Sequence, residues 1–362
     1  MSSTPDHDDS QSVLRTLGAD DDVLLALGAA LTAAPPGTAA GRVGRVDRGR
    51  FQLLTPAGAL AVATSGVSPV CVGDWCTVRT GENDTAVVDT VLPRRTALVR
   101  QSSGNRVESQ ALAANIDAVL VVIPLDRPIS RRQIERFLSL AWDSGAQPVL
   151  VLTKADLIAE GAVAPALADV TAVSAGLPVL LASVVTGRGM DEVAALVESG
   201  RTVALLGTSG SGKSSLVNAL MGADVVQTGE VRQADSKGRH TTTWRELVVL
   251  PTGGALIDTP GLRELGMWVD EEGIEAAFSD VTDLADECRF NDCAHLSEPG
   301  CAVLAAIAAG TLPSERLDSY RKLLGEAAYA AQKNDNRLAK EAQKVWKQRT
   351  TEGRRNSRPR PT

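Results

Sequence analysis

The chain has 362 residues, 44% apolar and only 3% aromatic, enough for two or three domains whose cores are filled by Leu, Val, Ala and Ile rather than by rings. No run approaches the ~18 apolar residues of a membrane span, the acidic, polar N-terminus is not a signal peptide, and the five cysteines do not suggest a disulfide framework. The net charge of −7 is uneven: residues 333–362 carry ten Lys/Arg against three Asp/Glu, while residues 1–22 hold six Asp against one Arg, so a basic tail follows an acidic body and serves either nucleic-acid contact or solubility.

In chain order, residues 1–11 are polar, acidic and aperiodic and predict disorder. Residues 12–33 predict a short helix ended by Pro35-Pro36-Gly37, and residues 1–38 together read as a flexible acidic extension. Residues 39–94 carry five short strand patterns: Gly41–Val46, Phe51–Leu54, Ala59–Ala63, Trp75–Val78 and Ala86–Val91. Turn signals separate them, including Arg48-Gly49 and Gly81-Glu82-Asn83-Asp84, and predict a small closed barrel of OB or SH3-like type.

Residues 95–268 alternate apolar strands with helical crossovers. The strands are Ala118–Ile123, Pro148–Leu152, Pro178–Leu181, Val203–Leu206, Glu246–Leu250 and Ala255–Ile257, with an amphipathic segment over Arg131–Asp143. Such runs predict a parallel sheet covered on both faces. Residues 269–332 are helical around a Cys/His cluster. The last helix starts near Ser314, with a stripe of Leu317, Tyr320, Leu324, Ala327 and Ala331.

Gly207-Thr208-Ser209-Gly210-Ser211-Gly212-Lys213-Ser214, followed by Ser215, fits the phosphate-binding loop in full. Its backbone N–H groups suit a β-phosphate, Lys213 the β/γ oxygens and Ser214 a Mg²⁺ ion, at the positive end of a helix. Asp258-Thr259-Pro260-Gly261 follows a strand about fifty residues later. There Asp258 can support the Mg²⁺ shell, and the Gly261 amide can sense the γ-phosphate. Within Gly238-Arg239-His240-Thr241-Thr242-Thr243, Thr242 is the preferred Mg²⁺ and γ-phosphate ligand, with Thr241 the alternative.

Thr153-Lys154-Ala155-Asp156 ends another strand. Asp156 can accept from guanine N1 and its exocyclic amine, which adenine does not offer, and the Lys154 stem can cover the base. Ala182-Ser183 ends the next strand, where a base-supporting loop belongs, but is a poor match to one. Leu262 follows Gly261 where many GTPases place a water-orienting Gln, so hydrolysis is expected to be slow unaided. His240 is the candidate catalytic substitute, with contact to RNA as the alternative role. Cys288, Cys293, His295 and Cys301 offer four soft ligands in fourteen residues, predicting a closed, structural Zn²⁺ site.

The base-reading motif thus precedes the phosphate loop, the reverse of the ordinary order. With the Cys/His cluster and the lead-in Leu112–Asp117, this arrangement resembles the RsgA/YjeQ family of circularly permuted GTPases over residues 39–330. The resemblance implies an N-terminal OB-fold β-barrel, a central circularly permuted α/β P-loop GTPase and a C-terminal α-helical zinc-binding domain. It also implies GTP hydrolysis to GDP stimulated by the 30S subunit during late assembly, with 16S rRNA as a contact. Phosphate contacts from Arg42, Arg45, Arg48 and Arg50 fit an aromatic-poor barrel. Two departures stand out: Thr153 replaces the family's usual Asn, and Val184-Val185 interrupt the supporting loop. The expectation is a cytoplasmic, monomeric GTPase without a membrane partner.

Overall fold

The computed structural model describes residues 7–47, 49–64, 70–80, 86–101, 109–174, 176–198, 200–222, 246–258 and 271–328. The segments 238–243, 259–261 and 333–362, and with them His240, Thr242, Gly261 and the basic tail, lie outside the described residues, as does Arg48.

The chain opens with two helices rather than a loose extension: α1 (His7–Thr16) and α2 (Asp21–Ala33). Asp20 caps α2 by accepting from the Val23 N–H at 2.9 Å. Leu14, Leu17, Ala19, Val23 and Leu27 pack with Ala40 and Trp75. The helix expected over residues 12–33 is present, divided in two, and α1 begins within the 1–11 stretch whose acidic composition pointed to disorder. One apolar face is enough once a barrel is there to receive it.

Five strands follow: β1 (Ala39–Asp47), β2 (Arg50–Thr55), β3 (Gly58–Ala63), β4 (Trp75–Thr80) and β5 (Ala86–Val91). Their order is β1-β2-β3-β5-β4, closed by β4 pairing back onto β1, with β3 and β5 parallel. This is the OB topology, and it decides between the two barrels that periodicity left open. Val43, Phe51, Leu53, Val62, Cys76 and Val78 fill its interior.

An unanticipated hairpin, β6 (Ala97–Gln101) and β7 (Ser109–Ala114), leads into the nucleotide sheet. That sheet comprises β8 (Ala118–Pro124), β9 (Gln147–Thr153), β10 (Val179–Leu181), β11 (Thr202–Leu206), β12 (Glu246–Val249) and β13 (Ala255–Asp258). The order is β10-β9-β8-β11-β13-β12. The first five are parallel, and β12 is antiparallel to β13 and meets β1 at Arg45↔Glu246, so sheet and barrel are continuous. One face packs under α3 (Arg131–Asp143) and α4 (Glu160–Thr171). The other packs under α5 (Met190–Ala195) and α6 (Lys213–Met221). Burial of both faces explains the unbroken apolar runs of β8 and β11.

The C-terminal helices α7 (Glu271–Ala277), α8 (Ser279–Asp286) and α9 (Ala302–Ala308), with the helical residues 314–328, share a core with α3. At its centre lies a buried ion pair, Arg316 Nη1 to Glu135 Oε1 at 2.9 Å, both side chains 2% exposed. Arg316 also reaches Asp280 at 2.8 Å and the Ala277 carbonyl at 2.7 Å, and stacks 3.9 Å above the Phe278 ring. Arg132 and Arg136 of α3 both bond Glu326.

Arg42 corrects one expectation. It is not a surface phosphate contact but a fully buried junction. Its guanidinium donates to Leu17 O (2.5 Å), Gly73 O (3.2 Å), Asn115 O (2.8 Å) and Thr202 Oγ1 (2.6 Å), and lies 5.0 Å from the Trp75 ring centroid. Helices, barrel and β11 thus converge on one cation. Burial lowers its pKa to about 10, against the opposing pull of Asp117. Arg50 is exposed. Arg42→Met should lower stability in urea by roughly 3 kcal/mol, because several buried carbonyls lose their donor. Arg50→Met should change it by less than about 0.5 kcal/mol.

Candidate nucleotide site and metal centre

Among the described residues, loops emerge at the carboxyl ends of β8, β9, β10 and β11, and β13 ends on the same edge. In an open α/β sheet, ligands bind at this edge, where the strand order reverses. Here the reversal lies between β8 and β11, since the chain runs outward from β8 to β9 and from β11 to β13.

The loop after β11 is Gly207–Gly212, and Lys213, Ser214 and Ser215 form the first turn of α6. A side chain at Gly207 would place its Cβ 2.4 Å from the Val122 carbonyl, so only glycine lets β11 turn this close to β8. Lys213 folds back, and its Nζ donates to Gly207 O at 2.8 Å and Thr208 O at 2.7 Å. That holds the ammonium over the mouth of the loop, where β/γ oxygens would lie.

The loop after β9 is tied to this one. Thr153 is 4% exposed, and its hydroxyl donates to Ser211 O at 2.6 Å. Thr153 therefore links the loop after β9 directly to the loop after β11. Lys154 adopts φ 60, a left-handed conformation uncommon outside glycine and often held at functional positions. Its Nζ pairs with Asp126 at 2.5 Å. The Ala155 N–H donates to Ala182 O at 3.1 Å, joining the β9 and β10 loops.

Asp156 is exposed, and its Oδ1 accepts from Ser183 Oγ at 2.6 Å. The same hydroxyl accepts from the Thr186 N–H at 3.2 Å. The supporting loop is thus a better match than its sequence suggested: Ser183 orients the Asp156 carboxylate, while Val184 and Val185 point outward, 39% and 82% exposed. The signal was present as a Ser directly after β10, masked by the valines behind it.

Two residues went unnoticed in the sequence, Asp126 and Arg127 after β8. The Arg127 guanidinium donates to Asp126 Oδ1 at 2.9 Å and to the Ser209 and Gly210 carbonyls at 3.4 and 3.2 Å. Arg127 first, then Lys154, hold the Asp126 carboxyl below its usual range, outweighing its partial burial. An Asp-Arg pair directly after a fully apolar strand, at the ligand edge of such a sheet, is the pattern that could have found them. Asp258 ends β13 on the same edge.

The Cys/His cluster lies between α8 and α9. One ligand atom from each of Cys288, Cys293, His295 and Cys301 falls within 4.8 Å of every other. Cys288 and Cys301 Sγ are 3.8 Å apart, and His295 Nδ1 lies 3.6 and 3.4 Å from them. A tetrahedral Zn²⁺ with Zn–S about 2.3 Å and Zn–N about 2.1 Å sets its ligands roughly 3.6–3.8 Å apart, so this donor set fits the ion. Burial, then the Arg321 charge, lowers the His295 pKa and favours the neutral imidazole a metal takes. Cys301 also caps α9.

A Gly-rich loop of phosphate-binding sequence, a Lys-x-Asp loop tied to it through Thr153, and a strand order in which β8 to β10 precede β11 define a circularly permuted P-loop GTPase. Residues 91–268 match the family described as RsgA GTPase. A "Small ribosomal subunit biogenesis GTPase RsgA" of Streptomyces avermitilis is 51% identical over 88% of this chain and 87% of its own length. One from Streptomyces coelicolor is 47% identical over 98% and 97%. The crystal structure of YjeQ from Thermotoga maritima superposes with a TM-score of 0.61 at 26% identity, covering 80% of this chain and 99% of that one. The chain belongs to the RsgA GTPase family. Among the described residues, no helix is long and apolar enough to cross a membrane.

Asp156→Asn should cost at least about 100-fold in GTP affinity and shift preference to xanthosine triphosphate, measured by nucleotide competition. One zinc per chain is expected by atomic absorption. Cys301→Ser or chelation should remove it and lower the melting temperature by about 10 °C.

Proposed function

We propose that this chain hydrolyses GTP to GDP during late maturation of the small ribosomal subunit, binding the 30S particle and its 16S rRNA in the GTP state and leaving on hydrolysis. The observation that carries this reading is the meeting of Thr153, Asp156 and Ser183 with Gly207–Lys213 on one crevice, braced by a barrel on one side and a Cys/His-bearing helical unit on the other. The relatives' names supply the assembly it acts in.

In this reading Asp156 and Lys154 select guanine, while Gly207–Ser215 cradle the phosphates. Ser214 and Thr242 would hold Mg²⁺, which neutralises charge gathering on the β/γ oxygens. Asp258 supports that shell, and Gly261 senses the γ-phosphate. His240 orients the attacking water in place of the Gln that Leu262 displaces. Cys288, Cys293, His295 and Cys301 hold a structural Zn²⁺. The 238–243 and 258–261 segments would link loss of the γ-phosphate to release from 30S. The protein works in the cytoplasm as a monomer, and the basic tail adds phosphate contacts.

The test is GTP turnover with and without purified 30S subunits. Strong stimulation is expected, with His240→Ala lowering the stimulated rate about 100-fold while GTP affinity is retained. Absence of stimulation would favour a scaffold that uses GTP only as a folding ligand. Deleting residues 333–362 should weaken 30S binding and flatten its salt dependence, whereas an unchanged slope returns the tail to a solubility role.

A further inference from the structure

The carbonyl groups of residues 207 to 211, five in succession, each accept a side-chain hydrogen bond. Lys213 takes Gly207 and Thr208, Thr153 takes Ser211, and Arg127 takes Ser209 and Gly210, the pair between them. A peptide unit is planar and trans, so a carbonyl held one way turns the next N–H the opposite way. The bond to Gly210 O, at 3.2 Å, therefore orients the Ser211 N–H, and the longer one to Ser209 O, at 3.4 Å, biases that of Gly210. The Ser211 N–H crosses the loop to Thr208 O at 3.3 Å, a long bond that a phosphate oxygen can displace.

Arg127 is itself held. Asp126 accepts from its Nε and, with the other oxygen, from Lys154 of the base-reading loop. Lys154, Asp126 and Arg127 thus form a second bridge from the base-reading loop to the phosphate loop, parallel to the Thr153–Ser211 bond. The seat is close: a Cβ on Gly210 would lie 3.2 Å from Arg127 Nη2.

We infer that Arg127, oriented by Asp126, is a positioning residue that clamps the Ser209 and Gly210 carbonyls outward and so pre-sets the amide nest for the β-phosphate of guanine nucleotides. The inference rests on the phosphate-loop reading given above. It assigns Arg127 no contact with the transferring phosphate. Pre-setting the nest removes an ordering cost at binding, and the β-phosphate is common to GDP and GTP, so both should lose affinity alike when the clamp goes.

The test uses the full-length protein with fluorescent GDP and a non-hydrolysable GTP analogue, steady-state GTP turnover, and urea unfolding without nucleotide. Arg127→Ala should weaken both nucleotides by about tenfold, a typical fold-change for lost charge-assisted bonds. The change should fall on KM rather than kcat, with the nucleotide-free unfolding midpoint unmoved. Arg127→Lys, which keeps a charge but not the fork, should lie between wild type and Arg127→Ala. It carries the test should Arg127→Ala not fold. Nucleotide affinities within twofold of wild type would overturn the inference, as would a midpoint that falls in step with affinity, or a loss confined to kcat. Lys213→Ala separates the two claims: if it too binds normally, the phosphate-loop assignment fails, whereas its loss beside an unaffected Arg127→Ala sinks the clamp alone.

Discussion

The pairing of β8 with β11, from Val203↔Ala118 to Leu206↔Val121, is the constraint on which the rest depends. It sets a strand from the first half of the nucleotide domain beside one more than eighty positions later. The loops leaving them, with Arg127 on one and the phosphate cradle on the other, then open at the same edge. Once that register is fixed, β9 adds on the outer side of β8 and carries Thr153 into contact with Ser211. A parallel sheet is indifferent to where the chain enters it, so the permuted order costs the site nothing in geometry.

Flanking units reach the sheet through buried arginines. Arg42 joins α1–α2, the barrel and the start of β11, the strand whose far end becomes the phosphate loop. Arg316 joins the C-terminal helices to Glu135 on α3, and α3 begins a few residues after Arg127. Each is a charge in an apolar setting whose donors are matched to several acceptors, an arrangement that tolerates little relative movement. The barrel's arginine therefore anchors the end of β11 opposite the phosphate loop, and that of the helical unit anchors the helix that follows the β8 loop.

Much of this was readable from residue order alone. The strands of barrel and sheet announced themselves because apolar and β-branched runs were cut by Gly and Pro turns. The phosphate loop and the Cys/His cluster combine residue types with spacings that few other structures need. What escaped reading depended on contacts distant in sequence. Arg42 looked like a surface cation because nothing in Gly41-Arg42-Val43 reveals that Leu17, Asn115 and Thr202 close over it. A helix over 12–33 was legible, but its division into α1 and α2 and its seat on the barrel were not, because the apolar face among the aspartates is matched by the distant Trp75 and Ala40. Ser183 was undervalued because its worth lies in a hydrogen bond to Asp156, twenty-seven positions earlier.

The most direct test of the account is a crystal structure of this chain with bound GDP and Mg²⁺. The account predicts the guanine edge on the Asp156 carboxylate beside Ser183, and the β-phosphate enclosed by the Gly210–Lys213 amides with Lys213 across it. A purine lying away from Asp156, or a diphosphate outside that loop, would contradict it.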